Sequence, residues 1–221
     1  LSHLEQARDM IALPERPLRG LYLLTPDEAD TTRLLARVLP LLDAGAAMLQ
    51  YRNKQASSGL RREQAVALHA ACRARSIPLI VNDDWRLAAA IDADGAHLGE
   101  ADGELIEARA ALGPKRIVGA SCYDDLARAE RAAAAGASYL AFGAFFASSS
   151  KPLARRADLA LLRQAARFGL PLVAIGGITP DNARSLVAAG ADLLAVIGAV
   201  FEAPDPVAAV RTFHSCFDPS P

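Results

Sequence analysis

Gln50, Arg52 and Lys54 stand two residues apart at the end of the apolar run MLQYR. An extended chain puts all three on one face, and two of the three are cationic. A guanidinium and an ammonium at that spacing suit a polyanion, the first as a two-pronged donor and the second as a point charge. Similar chemistry recurs at the ends of other apolar runs. Asn82 and Asp83 close LIVND, Asp102 follows GAHLG, Ser121 closes IVGAS, and FGAFFASSSKP carries Ser148, Ser149, Ser150 and Lys151. Gly176 and Gly177 end LVAIGG, and Ile197 and Gly198 end LLAVIG. The cations Arg52, Lys54 and Lys151, with the donors Asn82 and Ser121, fit a diphosphate. Asp83 and Asp102 offer the one or two carboxylates by which Mg²⁺ is characteristically held beside phosphate oxygens, one ion to a site. Glycines after the last two runs let backbone N–H groups approach a second phosphate. The pattern therefore describes two anion sites, one of metal and cations, the other of backbone amides and hydroxyls.

Each piece alone has a plainer reading. Arg52 and Lys54 are also what an ordinary surface carries, and Asn82 and Asp83 are also what caps a helix. Gly176-Gly177 also makes a simple turn. His97 lies before the end of its run, which favours a packed or hydrogen-bonded role over that of a base. The cysteines read as core filler, Cys122 included, since nothing beside it marks an activated thiolate. What favours the functional reading is that all the pieces fall at the same end of their runs.

The elements that must hold these residues are legible from Leu18 onward. The strands expected are LYLLT (21–25), MLQYR (48–52), LIVND (79–83), GAHLG (95–99), IVGAS (117–121), YLAFG (139–143), LVAIGG (172–177) and LLAVIG (193–198). Apolar runs without alternation are what strands buried on both faces require. Between them lie helical stretches. TTRLLARVLPLLDAG ends in glycine, with Pro40 expected to bend its last turns. ADGELIEARAALG places Asp102 near a helix start, and TPDNARSLVAAGA offers Thr179 as N-cap with Pro180 at the first helical position. Strands alternating with helices imply a parallel sheet with right-handed crossovers. Eight units, with the glycine-free TPDEAD after the first strand, favour closure into a single α/β (β/α)₈ TIM barrel over an open sheet. The expected organisation is an N-terminal helical extension over residues 1–17, covering the bottom of the barrel, and the barrel itself over residues 18–221.

Composition narrows the function class. The 221 residues carry 24 basic and 25 acidic side chains, a formal net charge of -1, without a basic block that would mark a nucleic-acid surface. No apolar run approaches the roughly 20 residues of a membrane span. Cys72, Cys122 and Cys216 are too scattered for a disulfide framework or a zinc site, which points to a reducing compartment. The first residues, LSHLEQARDMIALPERP, are mixed and charged rather than a signal peptide, and the missing Met suggests a processed or trimmed end. The expectation is a soluble cytoplasmic protein whose partners are small phosphorylated molecules, with no nucleic acid, no membrane, and a homo-oligomer left open.

In order and spacing, LQYRNK, VNDD, DGAHLGEAD, GASCYDD, FGAFFASSSKP, VAIGGITPDNA and AVIGAVF closely resemble the thiamine-phosphate synthase family, over nearly the whole stretch from Leu21 to Phe201. The resemblance implies a transferase that joins hydroxymethylpyrimidine diphosphate to a thiazole phosphate and releases pyrophosphate with Mg²⁺. It implies that Gln50, Arg52, Lys54, Asn82, Ser121 and Lys151 take the diphosphate substrate, with Arg52, Lys54, Ser121 and Lys151 catalytic, and that Asp83 and Asp102 take the metal. The thiazole phosphate then falls to Ser148, Ser149, Ser150, Gly176, Gly177, Ile197 and Gly198. The implied mechanism is a dissociative substitution that needs no protein nucleophile. The sequence departs from the commonest family pattern in three places. Ser148-Ser149-Ser150-Lys151 follows Ala147 where Thr-x-Thr-Lys after Pro is common, Asp84 replaces a common Arg, and Gly198 replaces a common Ser. A looser serine loop implies weaker affinity for the thiazole phosphate and suits a lid. The related thiazole tautomerase, an isomerase, is the alternative on the same scaffold. The metal and cation set, and Ser121 where that relative has a histidine, argue against it. A non-catalytic thiamine- or phosphate-binding domain is the second alternative.

Overall fold

Each of the eight apolar runs forms a strand, and each is followed by a helix. The computed structural model of the protein describes residues 18–99, 104–147 and 156–218. The helix expected over residues 1–17 lies outside them. In chain order the elements are β1 (Gly20–Leu24), α1 (Thr31–Asp43), β2 (Met48–Tyr51), α2 (Ser58–Arg73), β3 (Leu79–Asn82), α3 (Trp85–Ala90), β4 (Gly95–Leu98) and α4 (Leu105–Leu112). They continue as β5 (Ile117–Tyr123), α5 (Leu126–Ala134), β6 (Tyr139–Gly143), α6 (Leu159–Ala165), β7 (Leu172–Ile175), α7 (Pro180–Ala188), β8 (Leu193–Val196), α8 (Gly198–Phe201) and α9 (Pro206–Ser215). The strands pair in sequence order, and β8 returns to β1 through Gly20 opposite Leu193, closing a parallel (β/α)₈ barrel.

Closure explains the apolar runs. Successive side chains of β1 point to opposite faces, so Tyr22 and Leu24 join Met48, Ile80, Ile117, Tyr139, Val173 and Leu193 inside the barrel. Leu21 and Leu23 face outward and pack with Leu34, Val38 and Leu41 of α1. Both faces are buried, so the strands are apolar except where a polar side chain finds a partner inside, as Gln50 and His97 do. Small residues let the helices lie close: α5 buries Ala129, Ala132 and Ala133 against the strands.

The strands are shorter than the sequence suggests. Ladder pairing stops at Tyr51, Asn82, Ile175 and Val196. Arg52, Asp83, Gly176, Gly177, Ile197 and Gly198 therefore occupy the connections that follow. β5 departs the other way. It runs on to Tyr123, and its register shifts between Ser121 and Tyr123, so Cys122 is an extra residue of the bulged kind.

Aspartates start most of these helices. Asp30, Asp84, Asp125, Asp158 and Asp205 each accept a backbone N–H from the second or third residue of the helix that follows. Thr179 and Pro180 take the expected cap and first-turn positions of α7, where Asn182 Oδ1 accepts the Thr179 N–H at 2.9 Å. α4 begins at Leu105, with Glu104 as its N-cap. Pro40 lies inside α1 without ending it. No helix among the described residues is long and apolar enough to cross a membrane.

Candidate active site

The cationic residues after β2 are gripped from behind. Tyr51 and Asn53 point away from the barrel mouth into a buried polar knot: Tyr51 Oη donates to Gln64 Oε1 at 2.9 Å, and Asn53 Nδ2 donates to the Glu28 carbonyl at 2.7 Å. Gln64 Nε2 donates to the same carbonyl at 2.9 Å. The alternate residues are thereby turned the other way. Arg52 is fixed by its backbone, for Thr25 Oγ1 accepts its N–H and donates to its carbonyl, each at 2.8 Å. Asp27 Oδ1 accepts the Lys54 backbone N–H at 2.8 Å and faces the Arg52 guanidinium at 3.4 Å. Neither Thr25 nor Asp27 carries a signal in the sequence. Each matters through a partner more than 20 residues away.

Lys54, Asn82 and Asp83 meet on the wall of one pocket of about 60 Å³. Asp83 has a left-handed backbone (φ 63°), a conformation that Asp tolerates better than most residues, and its N–H donates to the His97 carbonyl at 2.8 Å. The helix cap is not Asp83 but its neighbour: Asp84 Oδ1 accepts the Leu87 N–H at 2.8 Å. The carboxylate at the position of a common Arg is thus committed to α3. Arg61, which sequence reasoning did not single out, lines the same pocket, and its Nε is buried with no hydrogen-bond partner among the described residues.

Mg²⁺ asks for hard oxygen donors and keeps positions open for substrate and water, rather than a complete protein cage. Among the described residues no three of His, Cys, Asp and Glu gather as such a cage. Of the two carboxylates on the pocket wall, Asp84 caps α3, and Asp83 beside an amide and a cation fits an ion that shares its shell with substrate. Asp102, Lys151, Ser148, Ser149 and Ser150 lie outside the described residues.

Across the mouth, Gln50 and Ser121 are joined through the barrel interior. Gln50 Nε2 donates to Tyr22 Oη at 2.7 Å, and the hydroxyls of Tyr22 and Tyr139 are 2.8 Å apart. His97 Nδ1 lies 2.9 Å from Tyr139 Oη, and Nε2 lies 2.8 Å from Ser121 Oγ. His97 is therefore a hydrogen-bonded wall residue with both ring nitrogens engaged. Its ring stacks on Tyr139 at 5.6 Å and 11°. Room for that stack comes from Gly119, which lies between them in register. A Cβ there would stand 2.0 Å from Tyr139 Cζ. Cys122, next to Ser121, is no nucleophile, because burial pushes its thiol up to about 12.

On the opposite rim, Gly176 and Gly177 both have positive φ, at 101° and 63°. The segment after β6 crosses directly over them: Phe146 N–H donates to the Gly176 carbonyl at 3.0 Å, and a Cβ on Gly177 would stand 2.3 Å from the Ala147 carbonyl oxygen. Only glycine allows that crossing. Asn182 Nδ2 ties the Gly177 carbonyl to α7 at 3.1 Å. Ile197 leads from β8 into α8, which opens at Gly198, where an added Cβ would meet only the flexible end of Glu202 at 3.3 Å.

Known proteins resemble this chain over nearly its whole length. A family model described as thiamine monophosphate synthase matches residues 21–200. A thiamine-phosphate synthase of Xanthomonas campestris pv. campestris is 58% identical over 199 residues, covering 90% of this chain and 96% of the relative. One from Methylobacillus flagellatus is 56% identical over 202 residues, covering 91% and 97%. Among solved structures, a thiamine phosphate pyrophosphorylase from Pyrococcus furiosus superposes with a TM-score of 0.81 at 33% identity, over 92% of this chain and 98% of that one. A match that runs from the first barrel strand into the helix after the last, backed by near full-length relatives, places this chain in the thiamine monophosphate synthase family.

Proposed function

We propose that this chain is a transferase that makes thiamine phosphate, joining hydroxymethylpyrimidine diphosphate to a thiazole phosphate at the mouth of the barrel. The observation that carries the reading is the convergence of Lys54, Asn82 and Asp83 on one pocket wall, in a chain 58% identical to a thiamine-phosphate synthase over 199 residues. Gln50, Arg52, Lys54, Asn82 and Ser121, with Lys151, bind the diphosphate substrate. The thiazole phosphate takes the other rim, at Ser148, Ser149 and Ser150, Gly176, Gly177, Ile197 and Gly198. Free thiols at Cys72, Cys122 and Cys216 support a reducing, cytoplasmic setting.

The bond between the pyrimidine methylene carbon and the diphosphate oxygen breaks, and its electron pair leaves with pyrophosphate. The thiazole nitrogen then donates its lone pair to that carbon, and no proton changes hands at the reacting centre. Arg52, Lys54 and Lys151 stabilise charge as it builds on the departing oxygens, and the Asn82 amide and Ser121 hydroxyl orient them. Asp83 with Asp102 would hold Mg²⁺, which when bound would supply further neutralisation of the leaving group. A protein nucleophile has no part in this chemistry, consistent with the raised Cys122 thiol and the engaged nitrogens of His97.

The test is a coupled assay of pyrophosphate release with both substrates, with and without Mg²⁺. Release that needs both substrates and the metal is expected. Turnover of a thiazole phosphate without pyrophosphate release would instead identify an isomerase.

A further inference from the structure

The row of hydrogen bonds inside the barrel is not consumed by the proposed chemistry. It runs Gln50, Tyr22, Tyr139, His97, Ser121, with steps of 2.7, 2.8, 2.9 and 2.8 Å, and takes its members from β2, β1, β6, β4 and β5 in turn. Tyr22 and Tyr139 are 1% and 0% exposed, so water cannot complete their valences. Burial also pushes both phenols well above their usual range, so each keeps its proton.

Count the hydrogens. Each phenol has one proton to donate, and a neutral imidazole has one N–H and one lone pair. Each of the three middle members therefore donates in one direction along the row and accepts from the other. The row as a whole can point only one of two ways. With the Gln50 amide nitrogen on Tyr22, as here, Tyr22 donates to Tyr139 and Tyr139 donates to His97 Nδ1. The imidazole proton then sits on Nε2 and is given to Ser121 Oγ. Ser121 keeps its own hydroxyl proton turned away from the row. Rotating the Gln50 carboxamide by half a turn would reverse every bond and leave Ser121 donating inward to His97.

We infer that Tyr22, Tyr139 and His97 are positioning residues that transmit the orientation of the Gln50 amide to Ser121 and hold its hydroxyl as a donor toward the diphosphate. The inference rests on the reading that places the diphosphate substrate at Ser121. A diphosphate oxygen carries lone pairs and no proton, so it needs a donor there. The row supplies one without a charge and without reorganisation when the substrate arrives. The stacked His97 and Tyr139 rings, seated over Gly119, keep the middle of the row from slipping.

The tautomer of His97 reports the direction of the row, and long-range proton–nitrogen NMR of the full chain reads it at mildly alkaline pH with no ligand present. The wild type is expected to carry its proton on Nε2. Gln50→Glu puts an obligate acceptor at the head of the row, so Tyr22 must donate to it and the His97 proton must move to Nδ1. Adding Tyr22→Phe cuts the transmission, and the effect of Gln50→Glu on His97 should vanish. A tautomer unmoved by Gln50→Glu, or moved equally in the Tyr22→Phe background, overturns the inference. If Gln50→Glu does not fold, Tyr139→Phe serves in its place. It keeps the ring and deletes one hydroxyl, and His97 should then lose its single tautomer; an unchanged Nε2–H overturns the inference. Calorimetry with magnesium pyrophosphate tests the functional half, with Tyr139→Phe expected to weaken binding about tenfold. Equal affinity in the two proteins would overturn the donor role. Absence of binding in the wild type would instead refute the diphosphate reading, while the tautomer still decides the row.

Discussion

Thr25→Val is the sharpest test of how the cationic rim is built. Thr25 is 0% exposed, and its hydroxyl closes a ring with the Arg52 backbone through two hydrogen bonds of 2.8 Å. Valine keeps the shape of the side chain and replaces that hydroxyl with a methyl group. The bond from the Thr25 N–H to the Gln50 carbonyl, at 3.0 Å, is untouched. Two backbone groups of Arg52 then lose their partner. Leaving one such group unsatisfied costs about 1–3 kcal/mol, and Arg52 is only half-buried, so water recovers part of each. The expected loss is about 2–3 kcal/mol, or a drop in Tm of about 4–12 °C for a chain of this size. The loss should also loosen the placement of the guanidinium and raise the KM for the diphosphate substrate about tenfold. Urea denaturation gives the first quantity, and steady-state pyrophosphate release with each substrate varied gives the second. Thr25→Ser retains the hydroxyl and should restore most of both. A valine variant within about 0.5 kcal/mol of wild type, with an unchanged KM, would refute the argument. Arg52 would then be held by Asp27 and solvent instead.

Other perturbations separate further parts of the molecule. Gly119→Ala drives a methyl group into the Tyr139 ring, and overpacking plus strained hydrogen bonds should cost about 3 kcal/mol in a urea titration. Gly198→Ser meets only the mobile carboxylate of Glu202, so its stability should stay within about 0.5 kcal/mol of wild type, while calorimetry with a thiazole phosphate should show affinity unchanged or improved. Arg52→Ala and Lys151→Ala should each lower turnover in the pyrophosphate assay about 100-fold or more. The hydrogen bond from Arg33 holds the Glu28 carboxyl down to about 2, below its usual 4.5. A carboxyl depressed in the fold stabilises above its unfolded pKa and loses that contribution as pH falls through the folded value. Denaturation midpoints of wild type and Glu28→Gln should therefore differ steadily above about pH 5 and converge between 4.5 and 2.

The barrel was legible in the sequence because burial on both faces leaves a plain record, a run such as LVAIGG with no polar residue at any period. Where each strand stops was not, since ladder hydrogen bonds decide that and composition does not. Gln50, Arg52 and Lys54 could be read from alternation alone, and the outward turn of Tyr51 and Asn53 gives the physical reason. Thr25 and Asp27 could not. A threonine that ends a strand and an aspartate in a loop look the same whether or not they hold an arginine 25 or more residues on. Gly119 was unreadable for a different reason: what excludes a side chain there is the Tyr139 ring of the neighbouring strand, not its own backbone. Gly176 and Gly177 were read as places where a phosphate approaches the backbone. The structure shows a different demand on them, the chain segment after β6 crossing overhead.

The contact between Asp27 and Arg52 has a consequence for selectivity. The guanidinium already faces a carboxylate, at 3.4 Å, so an arriving anion competes with a resident one. What the site weighs is a difference between two anions, not the bare attraction of a cation. A singly charged anion offers little more than Asp27 already does. On the proposed function, a diphosphate would bring several charges and reach Lys54 as well, and so would take Arg52 at a net gain. The aspartate costs every anion the same free energy to displace, so it lowers all affinities by one factor and leaves only the strongest bound. It works as a threshold set by the protein itself, against which the commoner small anions around it fall short.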